Sequence, residues 1–372
     1  EQRQVSTPSL VEQAYVKGEI SIDQRVLYHT YAIFEPVKVP EQYRSPFPEK
    51  CGTWILDEIL RNWEKLTPET KHILETYGFR PPGILQRPTG LDSSRSTIHF
   101  KIHYSVDPGD SNAISPIDAN GNGTPDYVDD VMNVLEIVWQ TEVNVMGYVA
   151  PPPDGNSGGD SLYDVYLMKI GSLGFTYPET STAGDNPNSP RVETNACPSY
   201  MVIRNTYTGF PVTELHALQI TVAHEFYHTI QNGYDAWEKR WLKEATAMWC
   251  EDEVFDDVNY NYQYLSPGFA YPSIPLDADN TADVGITYPD HWYGSWIFFR
   301  YISEHIGGRN TVRGIWEESA NYNSRNGDFS FNAIEDAFRR QNTTFEAVFR
   351  DFTVANLMRT IPPYAYEEGA QY

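Results

Sequence analysis

Five consecutive residues carry the most chemistry in this chain: His224-Glu225-Phe226-Tyr227-His228. They sit in an apolar periodicity that predicts a helix over residues 213–232, with Thr213 as N-cap after Pro211 and Asn232-Gly233 as the stop. On a helix, positions i and i+4 share a face with Cβ atoms about 5–6 Å apart. Two imidazoles so placed reach one tetrahedral zinc ion at about 2.0–2.1 Å each. Glu225 projects beside them, where its carboxylate hydrogen-bonds a water on the ion rather than the ion itself. With only 9 histidines in 372 residues the pattern seldom arises by chance. The bland alternative is a surface helix with two satisfied imidazoles.

A third ligand separates the kinds of zinc site. A metzincin carries Gly at 231 and His at 234; this chain has Gln231 and Tyr234, so that reading fails. A second helical pattern over residues 239–253 contains Glu244, flanked by the small Ala245 and Ala247 that permit close helix approach. His224, His228 and Glu244 would leave one coordination position open, the mark of a catalytic rather than a structural zinc. A solvated helix carboxylate is the competing reading of Glu244.

The stretch HEFYHTIQ followed by WLKEATAMWCED resembles the gluzincin zinc peptidases. It is most similar to hyicolysin-like enzymes and to secreted bacterial metalloproteases with a W-L-x-E-(A/G)-x-(A/S) helix. The resemblance covers residues 90–310, and residues 1–90 also resemble the amino-terminal region of that bacterial group. The chain departs from the thermolysin-like pattern in having fifteen residues between His228 and Glu244, and Lys243 where Asn is usual. The resemblance implies an α+β catalytic domain with an upper sheet whose edge strand pairs with substrate, expected here at residues 199–204. It also implies peptide-bond hydrolysis, with Glu225 taking a proton from a zinc-activated water and handing it to the leaving amine. A further donor must meet the oxyanion. Tyr293 is the candidate and His291 the competitor, both in DHWYGSWIFF, although a packed aromatic is the alternative in a chain with 26 tyrosines. Glu251 and Asp252 follow Glu244 by about two turns, either orienting an imidazole or forming a solvated pair at the helix end.

Calcium is the second metal expected. Asp118, Asn120, Asn122, Thr124, Asp126 and Asp129 stand at positions 1, 3, 5, 7, 9 and 12 of a twelve-residue loop with Gly123 at position 6. Asp129 replaces the usual Glu, a shorter arm that either loses bidentate coordination or hands the role to Asp130. The alternative is an Asx-turn loop with solvated charges. Asp154, Asn156, Asp160 and Asp164 form a weaker second cluster.

The elements that must position these residues read as α+β. Helical periodicity in residues 1–90 (around 10–15, 26–33 and 54–66) ends in Arg80-Pro81-Pro82-Gly83, an expected linker. Strands are expected at residues 96–105, 164–169 and 199–204, and a helix at 131–146 broken only by Glu142. Residues 171–198 look too rich in Pro, Gly, Ser and Asn to be regular. Helices follow at 291–307, 309–320, 331–340 and 344–358. The expected organisation is a helical N-terminal domain (1–90), an upper α/β subdomain with the calcium loop (91–212), a helical subdomain with the zinc site (213–360) and a tail (361–372). The active-site cleft is expected between the middle two.

Lys+Arg 27 against Asp+Glu 51 gives a net charge of −24, which repels nucleic acid and anionic membranes. No apolar run approaches the roughly 18–20 residues of a membrane span, and residues 1–10 lack the pattern of a signal peptide. Acidity, tyrosine content and turn-rich loops lean extracellular, so a secreted enzyme acting on protein or peptide is expected. Cys250 should pack as a small hydrophobe. Cys51 and Cys197 could bridge outside the cell, or Cys51 could supply a thiolate as fourth zinc ligand in a latent form, with residues 1–90 inhibitory. Two other functions remain in view: a calcium-binding adhesin or glycan-binding module with a relict zinc helix, and a peptidase confined to glycosylated proteins.

Overall fold

The computed structural model describes residues 5–265, 269, 272–278 and 291–372. Among them the chain is α+β, with twelve α-helices, a six-stranded mixed sheet and a two-stranded hairpin. It divides into two compact units, each discontinuous in sequence. One comprises Glu1–Ile137, Pro153–Thr180 and Ser199–Phe226; the other comprises Val138–Pro152, Ser181–Pro198 and Tyr227–Tyr372.

The first unit opens with helices α1 (Thr7–Val16), α2 (Ile22–Phe34), α3 (Thr53–Asn62) and α4 (Pro68–Thr76). Their starts are written locally. Ser21 and Gln24 form a reciprocal capping box on α2, and Thr67 caps α4 ahead of Pro68. The apolar face of α3, Trp54, Ile55, Leu56 and Ile59, is buried. The expected linker at residues 80–83 is instead a short hairpin, β2 (Phe79–Arg80) with β3 (Ile84–Leu85).

The sheet runs β1-β7-β8-β6-β5-β4. Its strands are β1 (Glu49–Cys51), β4 (Ser93–Ser96), β5 (Phe100–Tyr104), β6 (Tyr163–Met168), β7 (Ser172–Pro178) and β8 (Ser199–Arg204). Three expectations are corrected here. The strand expected at residues 96–105 begins only at Phe100, as β5, and a turn at residues 97–99 joins it to the antiparallel β4, which ends at Ser96. Residues 171–198 are not wholly irregular, because Leu173, Phe175 and Tyr177 bury one face of β7 and glycine and threonine fill the other. Residues 199–204 are not an edge strand: β8 is hydrogen-bonded to β7 on one side and β6 on the other. Its apolar run Tyr200-Met201-Val202-Ile203, fully buried, is what a strand covered on both faces requires. The edge beside β7 belongs to β1, which pairs in parallel with it, Glu49 opposite Ser172 and Cys51 opposite Gly174.

Helix α5 (Asp126–Trp139) starts earlier than its apolar stripe and passes into a π-helical turn, Gln140–Val145, which encloses Glu142 without exposure. Helix α6 (Glu214–Asp235) begins at Thr213, whose hydroxyl accepts from the His216 amide at 3.1 Å. It continues past Gly233 because that glycine is a packing point rather than a stop. A Cβ there would lie 3.2 Å from Asn186 Nδ2 and 3.4 Å from Pro152 Cδ.

The second unit is mainly helical: α7 (Arg240–Val254), α8 (His291–Gly294), α9 (Trp296–His305), α10 (Arg309–Ser319), α11 (Ser330–Arg340) and α12 (Phe345–Met358). Its core is aromatic. Phe298 packs edge-on against Phe299, Phe338, Phe345, Phe349 and Phe352. No helix among the described residues is long and apolar enough to cross a membrane.

Candidate metal centre

Helix α6 carries both histidines of the sequence motif one turn apart, and both are buried. The first part of the helix lies against β7 because position 174 has no side chain. A Cβ on Gly174 would sit 2.9 Å from both Glu225 Cγ and Thr221 Cγ2. The approach delivers Glu225 to two threonines. Thr176 Oγ1 donates to the Glu225 carboxylate at 3.0 Å and to its carbonyl at 2.7 Å, and Thr53 Oγ1 donates to the same carboxylate oxygen at 3.2 Å. Thr53 Oγ1 in turn accepts from the Thr176 amide at 2.8 Å. Glu225 is wholly buried, so these donors offset part of the cost of holding its charge away from water.

His228 is oriented by its own helix. Its Nδ1 faces Gln231 Oε1 at 2.8 Å, while Gln231 Nε2 donates to the Lys243 carbonyl at 2.8 Å and to Thr246 Oγ1 at 3.0 Å. Those acceptors fix which end of the amide is oxygen, so His228 Nδ1 carries the proton and Nε2 is left as a lone-pair donor. Nε2 is the atom that lies 3.6 Å from Glu244 Oε1. A tetrahedron with bonds of about 2.0–2.1 Å has edges of about 3.4 Å, so this pair is spaced as two ligands of one ion. Cys51, at the end of β1, offers its sulfur within 4.8 Å of a His224 ring nitrogen, and Cys51, His224, His228 and Glu244 make one buried candidate metal group.

Two other groups have ligand-like spacing among the described residues: Glu12, His29 and Glu58, and Asp252, Asp256 and Glu368. Each holds an arginine. Arg25 pairs with Glu12 at 2.8 Å and Glu58 at 3.0 Å, and Arg300 pairs with Asp252 at 3.3 Å. Their negative charge is met by the protein itself, and neither has the sulfur–imidazole–carboxylate donor set that suits zinc. Asp252 is also hydrogen-bonded by Asn261 at 2.8 Å and belongs to this arginine cluster, while Gln231 orients the His228 imidazole.

The remaining sequence candidates lie as follows. Tyr293, on α8, is buried with its ring 5.2 Å from that of Tyr264. His291 Nε2 faces the Pro275 carbonyl at 2.9 Å, and burial lowers its pKa. In the loop before α5, Asp118 Oδ1 accepts from the amides of Gly121 and Asn122 and Oδ2 from Gly123, at 2.8–3.1 Å. Asn120 and Asn122 turn toward Asp129 Oδ2, and Asp126 accepts from Ala119. The Thr124 amide is hydrogen-bonded to Asn122. Burial, followed by the adjacent charges of Asp126 and Asp129, raises the pKa of Asp130.

The second acidic cluster is met by the protein's own basic side chains. Arg87 pairs with Asp154 at 2.8 Å, Glu179 at 2.7 Å and Asp164; His103 reaches Asp164 at 2.6 Å and Lys101 reaches Asp160 at 2.9 Å. Asn156 only closes a turn on Asp154. No disulfide joins the cysteines. Cys250 is wholly buried and shares a hydrogen bond with Glu142.

No family model and no curated protein matches the chain. Among solved structures it is similar to a mutant of an M1 zinc metallopeptidase from Deinococcus radiodurans. Identity is 13% and the TM-score 0.36, over 75% of this chain and 52% of the other. The chain thus spans about half the length of that enzyme, and a likeness this distant carries no functional argument.

Proposed function

We propose that the chain is a zinc-dependent peptidase, acting outside the cell on proteins or peptides. The observation that carries the reading is the convergence on α6 and α7 of a buried His224–His228–Glu244 donor set, with His228 held in its metal-binding tautomer and a non-ligand carboxylate, Glu225, one residue along from His224. Zinc bound there would acidify a water and polarise a substrate carbonyl. The protein's own part is proton handling. Glu225 takes the water's proton on its carboxylate and returns it to the leaving nitrogen, with Thr176 fixing the carboxylate's direction. Tyr293 and His291 are the candidates for hydrogen-bonding the oxyanion. The loop from Asp118 to Asp129 would bind calcium and stabilise the start of α5.

A second reading is favoured by Cys51. A closed Cys-His-His-Glu set is the form of a structural zinc, as expected of a non-catalytic binding module. Peptide release from casein, gelatin and a glycoprotein panel by zinc-replete protein separates the two. Under the peptidase reading, Glu225→Gln keeps one zinc per chain and loses cleavage by about 100-fold or more. Absence of bound zinc, or cleavage that survives the substitution, refutes it.

A further inference from the structure

We propose that the segment Glu49–Thr53 is a built-in inhibitory strap that closes the zinc site: Cys51 takes the coordination position that water needs, and Thr53 holds the Glu225 carboxylate. The inference rests on the zinc-site reading above and deepens it.

Three independent features of the first unit meet in these five residues. Cys51 brings a sulfur within ligand reach of His224, and no disulfide claims it. The thiolate is the form that binds zinc, so coordination releases the thiol proton to solvent. Thr53 donates to Glu225 Oε2 at 3.2 Å and is itself locked by the Thr176 amide. Third, β1 occupies the sheet edge alongside β7, and the Gly52 amide extends the pairing to the Gly174 carbonyl at 2.9 Å. An open edge is where an extended peptide is captured by main-chain hydrogen bonds. With β1 present that edge is filled by the chain's own backbone, and metal position, general base and edge are obstructed together.

The strap is anchored rather than frayed. Glu49 is buried and accepts from Ser6 Oγ at 2.6 Å and Trp54 Nε1 at 3.4 Å. A Cβ on Gly52 would lie 3.1–3.2 Å from Ser172, Ile33 and Phe175, so the backbone passes where a side chain would not fit without displacement.

Full-length chain loaded with cobalt(II) tests the proposal spectroscopically. Wild type should show a thiolate-to-cobalt charge-transfer band that disappears in Cys51→Ala and persists in Cys197→Ala. Cys51→Ala should also cleave peptides about tenfold faster or more, and lose zinc to EDTA about tenfold faster or more. Cys51→Ser serves if the alanine variant fails to fold. Thr53→Val alone should leave the charge-transfer band in place and cleavage low, and added to Cys51→Ala it should raise cleavage beyond that of the single variant. Cobalt bound with no charge-transfer band overturns the strap and leaves the peptidase reading standing. A band lost in Cys51→Ala without any gain in cleavage, in that variant or in the double variant with Thr53→Val, also overturns the strap and marks the zinc as structural. Failure to bind cobalt or zinc at one per chain removes the peptidase reading itself.

Discussion

Gln231→Met isolates the positioning of His228 from the ligands themselves. The wild-type side chain is wholly buried and makes three hydrogen bonds, to His228 Nδ1, the Lys243 carbonyl and Thr246 Oγ1. Methionine fills nearly the same volume and makes none of them. Thr246 Oγ1 still donates to the Leu242 carbonyl at 2.7 Å, so the group left with the larger deficit is the imidazole N–H. A buried donor stripped of its partner costs about 1–3 kcal/mol. Loss of the partner that orients a metal-bound imidazole weakens metal affinity by about 10–100-fold, equivalent to about 1.4–2.8 kcal/mol. Competition against a chelating dye reads the zinc affinity directly, and calorimetry of the metal-free chain reads the stability cost. Gln231→Glu restores an acceptor opposite Nδ1 and should recover most of the affinity. If Gln231→Met binds zinc as tightly as wild type, or Gln231→Glu is as weak as the methionine variant, the tautomer argument is wrong.

Two further outcomes are expected. Burial holds the Glu142 carboxyl well above its ordinary value near 4.5, with a hydrogen bond from Cys250 opposing. Burial likewise pushes Glu238 up to about 7. A raised acid is neutral in the folded chain and ionised in the unfolded one. Its contribution to stability is therefore complete below the unfolded pKa and is lost as pH rises toward the folded value. The thermal midpoint should fall between about pH 5 and pH 8, and fall less steeply in Glu142→Gln; parallel curves would count against this. Calcium at about ten times a millimolar-range dissociation constant should add about 1.4 kcal/mol, or about 2–4 °C in the midpoint. Asp118→Asn should abolish that gain, and identical midpoints in calcium and EGTA would exclude the loop as a site.

Helices are readable wherever their signals are local. Pro211, Thr213 and the apolar stripe announce α6, and the apolar period over residues 26–33 announces α2; α4, capped by Thr67 ahead of Pro68, carries local signals that the periodicity alone does not bring out. The i, i+4 histidines are likewise a property of one helical turn. Strands are harder. Three residues, Glu49-Lys50-Cys51, have no periodicity to detect, and β7 is masked by its Gly, Ser and Pro neighbours although its own face is apolar. Lateral order within a sheet is not written in chain order, so nothing in residues 199–204 themselves corrects the edge position that the resemblance implies, and β8 lies inside. Thr53 meets Glu225 across 172 positions, a separation that no spacing rule reaches. Gln231 stands three residues beyond His228, visible as an i, i+3 partner, yet in the sequence it draws notice only as a departure from another motif.

Arg87 has a bearing on how the amino-terminal region could be detached. Its guanidinium is tied to Asp154, Asp164 and Glu179, all carried by later parts of the chain, and its side chain is only 12% exposed. A protease nick just ahead of Arg87 leaves this peg in the body of the protein and its three acids neutralised. A nick just after it carries the cation away with the excised fragment and leaves Asp154 and Glu179 without it and Asp164 with His103 alone, a loss on the order of 3–5 kcal/mol when one side of a buried pair is removed. The survivable boundary of a trimmed form therefore lies on the amino side of residue 87.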